Sequence, residues 1–272
     1  MRDYSWMLQS VVDRTPDARH LVLLSADGIA QGATQGLDHD AMNAIASTAA
    51  GLQSLSRATG TIVGAQEVDE WRQTLIEFDH GWVFILAAGK RSYLAAAAGP
   101  DVDMELISSN MQQLVTRLGR ELTAEARTES SVPQSGYRPQ AGAQQVRQAR
   151  VLPRLNDIVD AVPLATQAIL VRPDGLPGGA SAGMAADVAD SFAAAMHALQ
   201  GLSKSTAPFL GRHVNAQLRQ TVVEFDHGWL VTMATPDGGT LAAAAEPDGD
   251  IGALAIQMRA VVPEPAEMAR NA

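Results

Sequence analysis

The sequence predicts an α+β fold made twice: two α/β-sandwich domains, each a mainly antiparallel sheet with helices on its faces. Two observations carry this. Shifting the 272-residue chain by 147 positions lays Leu8–Val115 on Leu155–Val262 without a gap. Within each copy the apolar pattern then reads helix, two strands, helix, three strands, helix, with connections short enough to pair neighbouring strands antiparallel.

The matches are spread along the whole overlap. Val12-Asp13 falls on Val159-Asp160, Asp27-Gly28 on Asp174-Gly175, "LAAAA" on "LAAAA", and Pro100-Asp101 on Pro247-Asp248. Two copies are too few for a solenoid, so each is expected to fold as its own unit. The boundaries predicted are residues 1–127, a flexible linker over 128–150, and residues 151–272. The linker contains "TESSVPQSGYRPQAGAQQ", too poor in apolar residues to order itself.

Within a copy, Trp6, Leu8, Val11 and Val12 recur at helical spacing, and Pro16 lies beyond that helix. "HLVLLSADGIAQGAT" is an apolar run, an Asp-Gly turn and a second run, the pattern of a hairpin. A long helix follows over Asp38–Thr59, with Met42, Ile45, Ala49, Leu52 and Leu55 as its apolar stripe. Phe192, Met196, Leu199 and Leu202 form the stripe in the second copy. "TLIEFD" alternates, placing Thr74, Ile76 and Phe78 on one face and Leu75, Glu77 and Asp79 on the other. "WVFIL" is apolar on both faces, which predicts a strand covered on both sides. "YLAAAA" is a strand that helices can approach closely. A last amphipathic helix carries acidic residues in its first turn, and its counterpart is cut short by Pro263 and Pro265.

Composition removes several function classes. The net charge is −10, and residues 1–127 (10 basic, 16 acidic) and 153–272 (7 basic, 13 acidic) each contribute −6. That balance opposes binding to nucleic acid phosphates. With no cysteine there is no disulfide, thiolate zinc site or thiol nucleophile. The first residues lack the apolar core of a signal peptide, and no apolar run is long enough to span a bilayer. No membrane insertion and a cytoplasmic location are the expectations.

The most chemical-looking stretch is "RQTLIEFDHGW" at Arg72–Trp82, which returns as "RQTVVEFDHGW" at Arg219–Trp229. A metal or acid–base site would need another ligand, and strand alternation turns His80 away from both carboxylates. A hairpin explains the residues better: Gly81 and Gly228 supply the positive φ of a tight turn, with Asp79 and His80 at its exposed tip. The glycines of "PDGLPGGASAG" sit in a hairpin, without the spacing of a phosphate loop. Ser25 and Ser92 lack a nucleophile-elbow context. The methionines at helical spacing read as core. No catalytic, cofactor-binding or metal-binding residue is expected, and no enzymatic activity.

Taken in order, "LLSADGIAQGATQGLDHDAMNAIASTAAGLQSLS", "RQTLIEFDHGWVFILAA" and "LAAAAGPDVDMELISSNMQQLV" resemble the roadblock/LC7 family, most closely its small actinobacterial conservon-type members. "LVRPDGLPGGASAG", "ALQGLSKSTA", "RQTVVEFDHGWL" and "LAAAAEPDGDIGALAIQMRAVV" carry the resemblance in the second copy. It implies a five-stranded antiparallel sheet with one helix on one face and two on the other. It also implies dimers made by pairing the middle helices and joining the sheets at the third strand. The partners it implies are small Ras-like GTPases, with the roadblock dimer as a non-catalytic platform that regulates hydrolysis. Conservon members are encoded beside a sensor-kinase-like protein and a GTP-binding protein. An adaptor that binds other roadblock or sensor-kinase-like proteins without touching a GTPase is the alternative.

Two copies in one chain make that association intramolecular, at an effective concentration near mM for a short flexible linker. The expected arrangement is a pseudo-dimer, with Ala46, Ala49, Ala50 and Leu52 packed against Ala193, Met196 and Leu199. Its outward face is expected to bind the partner through Asp40, Asn43, Ser47 and Arg57, with Asp187, Asp190, His197 and Lys204 from the second copy. Further self-association of the tandem chain stays open.

Overall fold

In a computed structural model, the structure describes residues 4–63, 71–89, 92–125, 148–211 and 215–262. Most of the expected linker lies outside the described residues. Its last three residues do not: Ala149 N–H donates to the Met184 carbonyl at 3.0 Å, and Gln148 bridges to Ala185.

The first domain runs α1 (Ser5–Arg14), β1 (Ala18–Ser25), β2 (Ala30–Ala33), α2 (His39–Ala58), β3 (Trp71–Phe78), β4 (Gly81–Ala87), β5 (Ser92–Ala98) and α3 (Met104–Glu125). The second repeats the order: α4 (Pro153–Ala161), β6 (Ala165–Val171), β7 (Pro177–Ala180), α5 (Ala186–Lys204), β8 (Leu218–Phe225), β9 (Gly228–Ala234), β10 (Thr240–Ala245) and α6 (Ile251–Val261). A short 3-10 turn follows each middle helix, Gly60–Val63 in one domain and Ala207–Leu210 in the other.

The elements fall where local chemistry puts them. Asp38 caps α2, its carboxylate accepting from Ala41 N–H at 2.7 Å, and Asp250 caps α6 in the same way at 2.8 Å. The first helix corrects one expectation. Its buried face is Met7, Leu8 and Val11, with Tyr4 beside them, while Trp6 stands 67% exposed.

All ten strands form one antiparallel sheet in the order β2-β1-β5-β4-β3-β8-β9-β10-β6-β7. The domains therefore join edge to edge at β3 and β8, where Thr74 faces Val223, Leu75 faces Val222 and Ile76 faces Thr221. An edge strand that would otherwise offer unpaired amides is closed by its own repeat.

Three cores result. The largest is shared: Ile76 and Phe78 of β3, Val223 and Phe225 of β8, and the inner faces of α2 and α5 belong to one continuous cluster. On the opposite face of the sheet, α1 and α3 cover the first domain, and α4 and α6 cover the second. Each domain thus has one helix on one face and two on the other. Leu75 packs against both of the lower cores.

Buried hydroxyls tie each middle helix to the seam. Ser56 Oγ meets Thr74 Oγ1 at 3.0 Å, and Ser203 Oγ meets Thr221 Oγ1 at the same distance.

Candidate docking face

The middle helices present their inner faces to the sheet and their outer faces to solvent. Ala46, Ala49, Leu52, Ala193, Met196 and Leu199 are all buried in the shared core. Ala50 is placed differently: a Cβ on Gly28 would stand 3.2 Å from Ala50 Cβ, so Ala50 lies under the β1–β2 turn of its own domain. Its counterpart His197 lies likewise under Gly175. Between the helices, a Cβ on Gly51 would be 3.9 Å from Leu202 Cδ1.

Along the outer faces, Asp40, Asn43, Ser47 and Arg57 of α2 are exposed, as are Asp187, Asp190, His197 and Lys204 of α5. The fold gathers all eight on one side of the molecule. None of them is joined to another of the set by a hydrogen bond or ion pair among the described residues.

The 3-10 turns cross the seam. Ala207–Leu210 packs on β4 and β5 of the first domain, and Gly60–Val63 on β9 and β10 of the second. Arg19 donates to the Leu210 carbonyl at 2.7 Å, and Gln167 donates to the Ile62 carbonyl. Beside the first of these turns lies a cleft of about 450 Å³. It is bounded by the cap and first half of α2 (Asp38, Asp40, Thr48), by His20, and by Pro208 and Phe209 from the other domain. His20 Nδ1 is buried there without a hydrogen bond. Burial, with the neighbouring Arg19 charge as a second cause, holds the imidazole below its ordinary pKa.

The corresponding corner of the second domain carries different side chains. Phe192 replaces Ile45, Met184 replaces Leu37, Gln167 replaces His20, and Ala149 is tied to Met184. The α2–α5 face is therefore asymmetric although the fold is nearly symmetric.

The repeated Glu-Phe-Asp-His motif is a hairpin that also fastens the seam. Arg72 pairs with Asp226 and lies 3.4 Å from Glu224, while Gln73 donates to Glu224. From the other side Arg219 and Arg259 each approach Glu77 at 3.6 Å. Asp79 accepts from His80 Nδ1 at 2.6 Å and from the Gln217 amide at 2.8 Å. The His80 hydrogen bond chiefly, then the Gln217 amide and the nearby positive charge, lower the Asp79 pKa. These carboxylates are engaged in holding strands together. Sequence reading saw the exposed tip but set His80 away from both carboxylates, whereas the turn after β3 ends the alternation and lets His80 bond Asp79. It also missed the cross-domain partners, because pairing between residues 72 and 226 leaves no local pattern.

A model of the Roadblock/LC7 domain matches residues 4–98 and again residues 155–245. The chain belongs to the Roadblock/LC7 family. Among solved structures, a Roadblock/LC7 domain from Streptomyces avermitilis is 33% identical over 45% of this chain and 99% of its own, with a TM-score of 0.43. A second domain from that organism is 28% identical over 42% and 95%, with a TM-score of 0.34. Myxococcus xanthus MglB is 13% identical over 44% and 94%, with a TM-score of 0.36. No curated protein matches the chain. No helix among the described residues is long and apolar enough to cross a membrane.

Proposed function

We propose that this tandem Roadblock/LC7 protein is a non-catalytic scaffold that binds a small Ras-like GTPase in a bacterial signalling system and modulates its GTP hydrolysis. The observation that carries the reading is the outward face of α2 and α5. Two family domains of one chain set eight exposed polar side chains on a single surface, fixed by a shared core beneath. A rigid, polar, charge-bearing surface suits recognition of a folded protein, where complementary charge steers encounter and orientation.

The asymmetric cleft beside Asp38 and Asp40 supports one preferred orientation of the partner. Acidic groups at that end meet a basic surface best, and charge at the rim governs association rate. The polar groups of the seam already serve strand pairing, which favours a binding role over a reactive one.

The test is a pull-down and titration with a small Ras-like GTP-binding protein, loaded with GDP or a non-hydrolysable GTP analogue. Binding should be saturable, and Asp40→Lys with Asp187→Lys should weaken it at least about tenfold, an energy of about 1.4 kcal/mol. Thermal unfolding should stay unchanged in that variant. Multiple-turnover GTPase assays with and without the tandem protein then read the effect on hydrolysis. Absence of binding in both nucleotide states would contradict the reading.

A further inference from the structure

The second domain carries an apolar groove on the face opposite α2 and α5, with a volume of about 510 Å³. Leu155, Leu170, Thr235, Leu241, Val261 and Val262 line it, between α4 and the end of α6. The 147-residue offset maps these onto Leu8, Leu23, Ala88, Leu94, Leu114 and Val115 of the first domain. There the same site is covered: Leu8, Leu23, Ala88 and Leu94 are fully buried. Their counterparts Leu170 and Thr235 are partly exposed, as is Val261 where the first domain buries Leu114.

In the first domain α3 continues past Leu114, and Leu118 joins Leu8, Leu23, Ala88 and Leu94 in one buried cluster. That helix runs on to Glu125 and buries Leu118 completely in the lower core. In the second domain α6 ends at Val261, and the position equivalent to Leu118 is Pro265, outside the described residues. Val262, the residue before Pro263, is extended and ends α6. The rim has changed with it. Arg154, exposed, stands where the first domain buries Met7, and it makes no ion pair among the described residues.

We propose that this groove docks an amphipathic helix supplied by a partner protein. That helix places an apolar side chain where Leu118 sits in the first domain, and a carboxylate opposite Arg154. The first domain supplies the template for its shape, and the exposed Arg154 at the groove's edge supplies the charge complement. Helix-in-groove recognition of this kind reads apolar residues one and two turns apart. The surface is distinct from the α2–α5 face, so the tandem chain holds two partners on opposite sides of its sheet.

The probe is a fluorescein-labelled peptide of residues 108–125, "SSNMQQLVTRLGRELTAE", titrated with the full chain by anisotropy. One peptide should bind per chain, and a Leu118→Asp peptide should bind at least tenfold more weakly. Val262→Asp in the chain should give the same loss, with circular dichroism confirming the fold. A second variant replaces residues 263–272 by the sequence of residues 116–125, extending α6 over its own groove. It should abolish peptide binding and raise the Tm. Peptide binding that is indifferent to Val262→Asp and to the graft, or absent altogether, would overturn the proposal. Binding that appears only after residues 263–272 are removed would overturn it in favour of the chain's own end as occupant. A chain dimer that Val262→Asp converts to monomer would overturn it in favour of a second copy.

Discussion

Leu75 on β3 faces Val222 on β8 across the seam, and the two are the same position of the duplicated domain. The pairs on either side exchange roles: Thr74 with Val223 and Ile76 with Thr221 are each other's images under the 147-residue shift. A pseudo-two-fold axis therefore passes between Leu75 and Val222. This is the geometry of an isologous dimer, in which one surface patch pairs with its own copy. Fusion into one chain keeps that geometry and removes the requirement that the halves be identical.

Because the seam lies over a shared core, its apolar side chains outweigh its ion pairs. Ile76 is fully buried in that core. Ile76→Ala should cost about 2–5 kcal/mol in urea unfolding. Arg72, 57% exposed and paired with Asp226, should cost less than about 1 kcal/mol when changed to alanine. Both domains should unfold together in the native chain and in Arg72→Ala.

Gly81 opens β4 with φ 144°, and a Cβ there would meet the Ala98 carbonyl oxygen at 2.1 Å. Neither backbone can yield without breaking the β4–β5 ladder. Gly81→Ala should destabilise the fold by more than about 2 kcal/mol, beyond the usual range for a surface turn. Thermal unfolding reads this directly.

Leu164 holds φ 67° in the tight turn after α4, and its side chain is exposed. A β-carbon in that conformation costs about 1–2 kcal/mol. Leu164→Gly should therefore raise stability by about 0.5–1 kcal/mol, after the extra chain entropy of glycine is subtracted. Asp17, the matching residue at φ 65°, behaves differently, because its carboxylate accepts from the Asp101 amide at 3.1 Å. Asp17→Gly should bring no gain.

His20 should make the fold lose stability in acid. Its folded pKa lies below the ordinary 6.5, so above that value it is neutral in both folded and unfolded chains. As pH falls below about 6.5 the unfolded chain takes up a proton that the fold resists, and stability declines. His20→Gln substitutes the residue found at position 167, whose amide donates to the Ile62 carbonyl across the seam. The fall in Tm between pH 7.5 and about 5.5 should be shallower in that variant.

The fold was legible because its signals are local or periodic. The α2 stripe from Met42 to Leu55 and the Asp27-Gly28 turn each declare themselves within a few residues. The repeat then gave two copies of one domain, and the family resemblance implied that the third strand pairs with its own copy. What stayed hidden depends on contacts between distant segments. Trp6 satisfies helical spacing, yet the helix rotates so that Tyr4 and Met7 face the core instead. Ala50 satisfies the small-residue rule for helix pairing, yet it lies under Gly28. The crossing of Phe209 and Leu210 onto the first domain's sheet left no trace beyond an apolar pair after a helix.

The intramolecular clasp of the two domains is tested most directly by a cross-link in this cysteine-free chain. Glu77 and Gln220 face each other across β3 and β8. Directly opposed strand residues have Cα atoms about 4.5–5.5 Å apart, within the range a disulfide spans. Glu77→Cys combined with Gln220→Cys should oxidise to a monomeric, internally cross-linked chain that migrates faster on non-reducing gels. Two free thiols after oxidation, or disulfides found only between chains, would contradict the account.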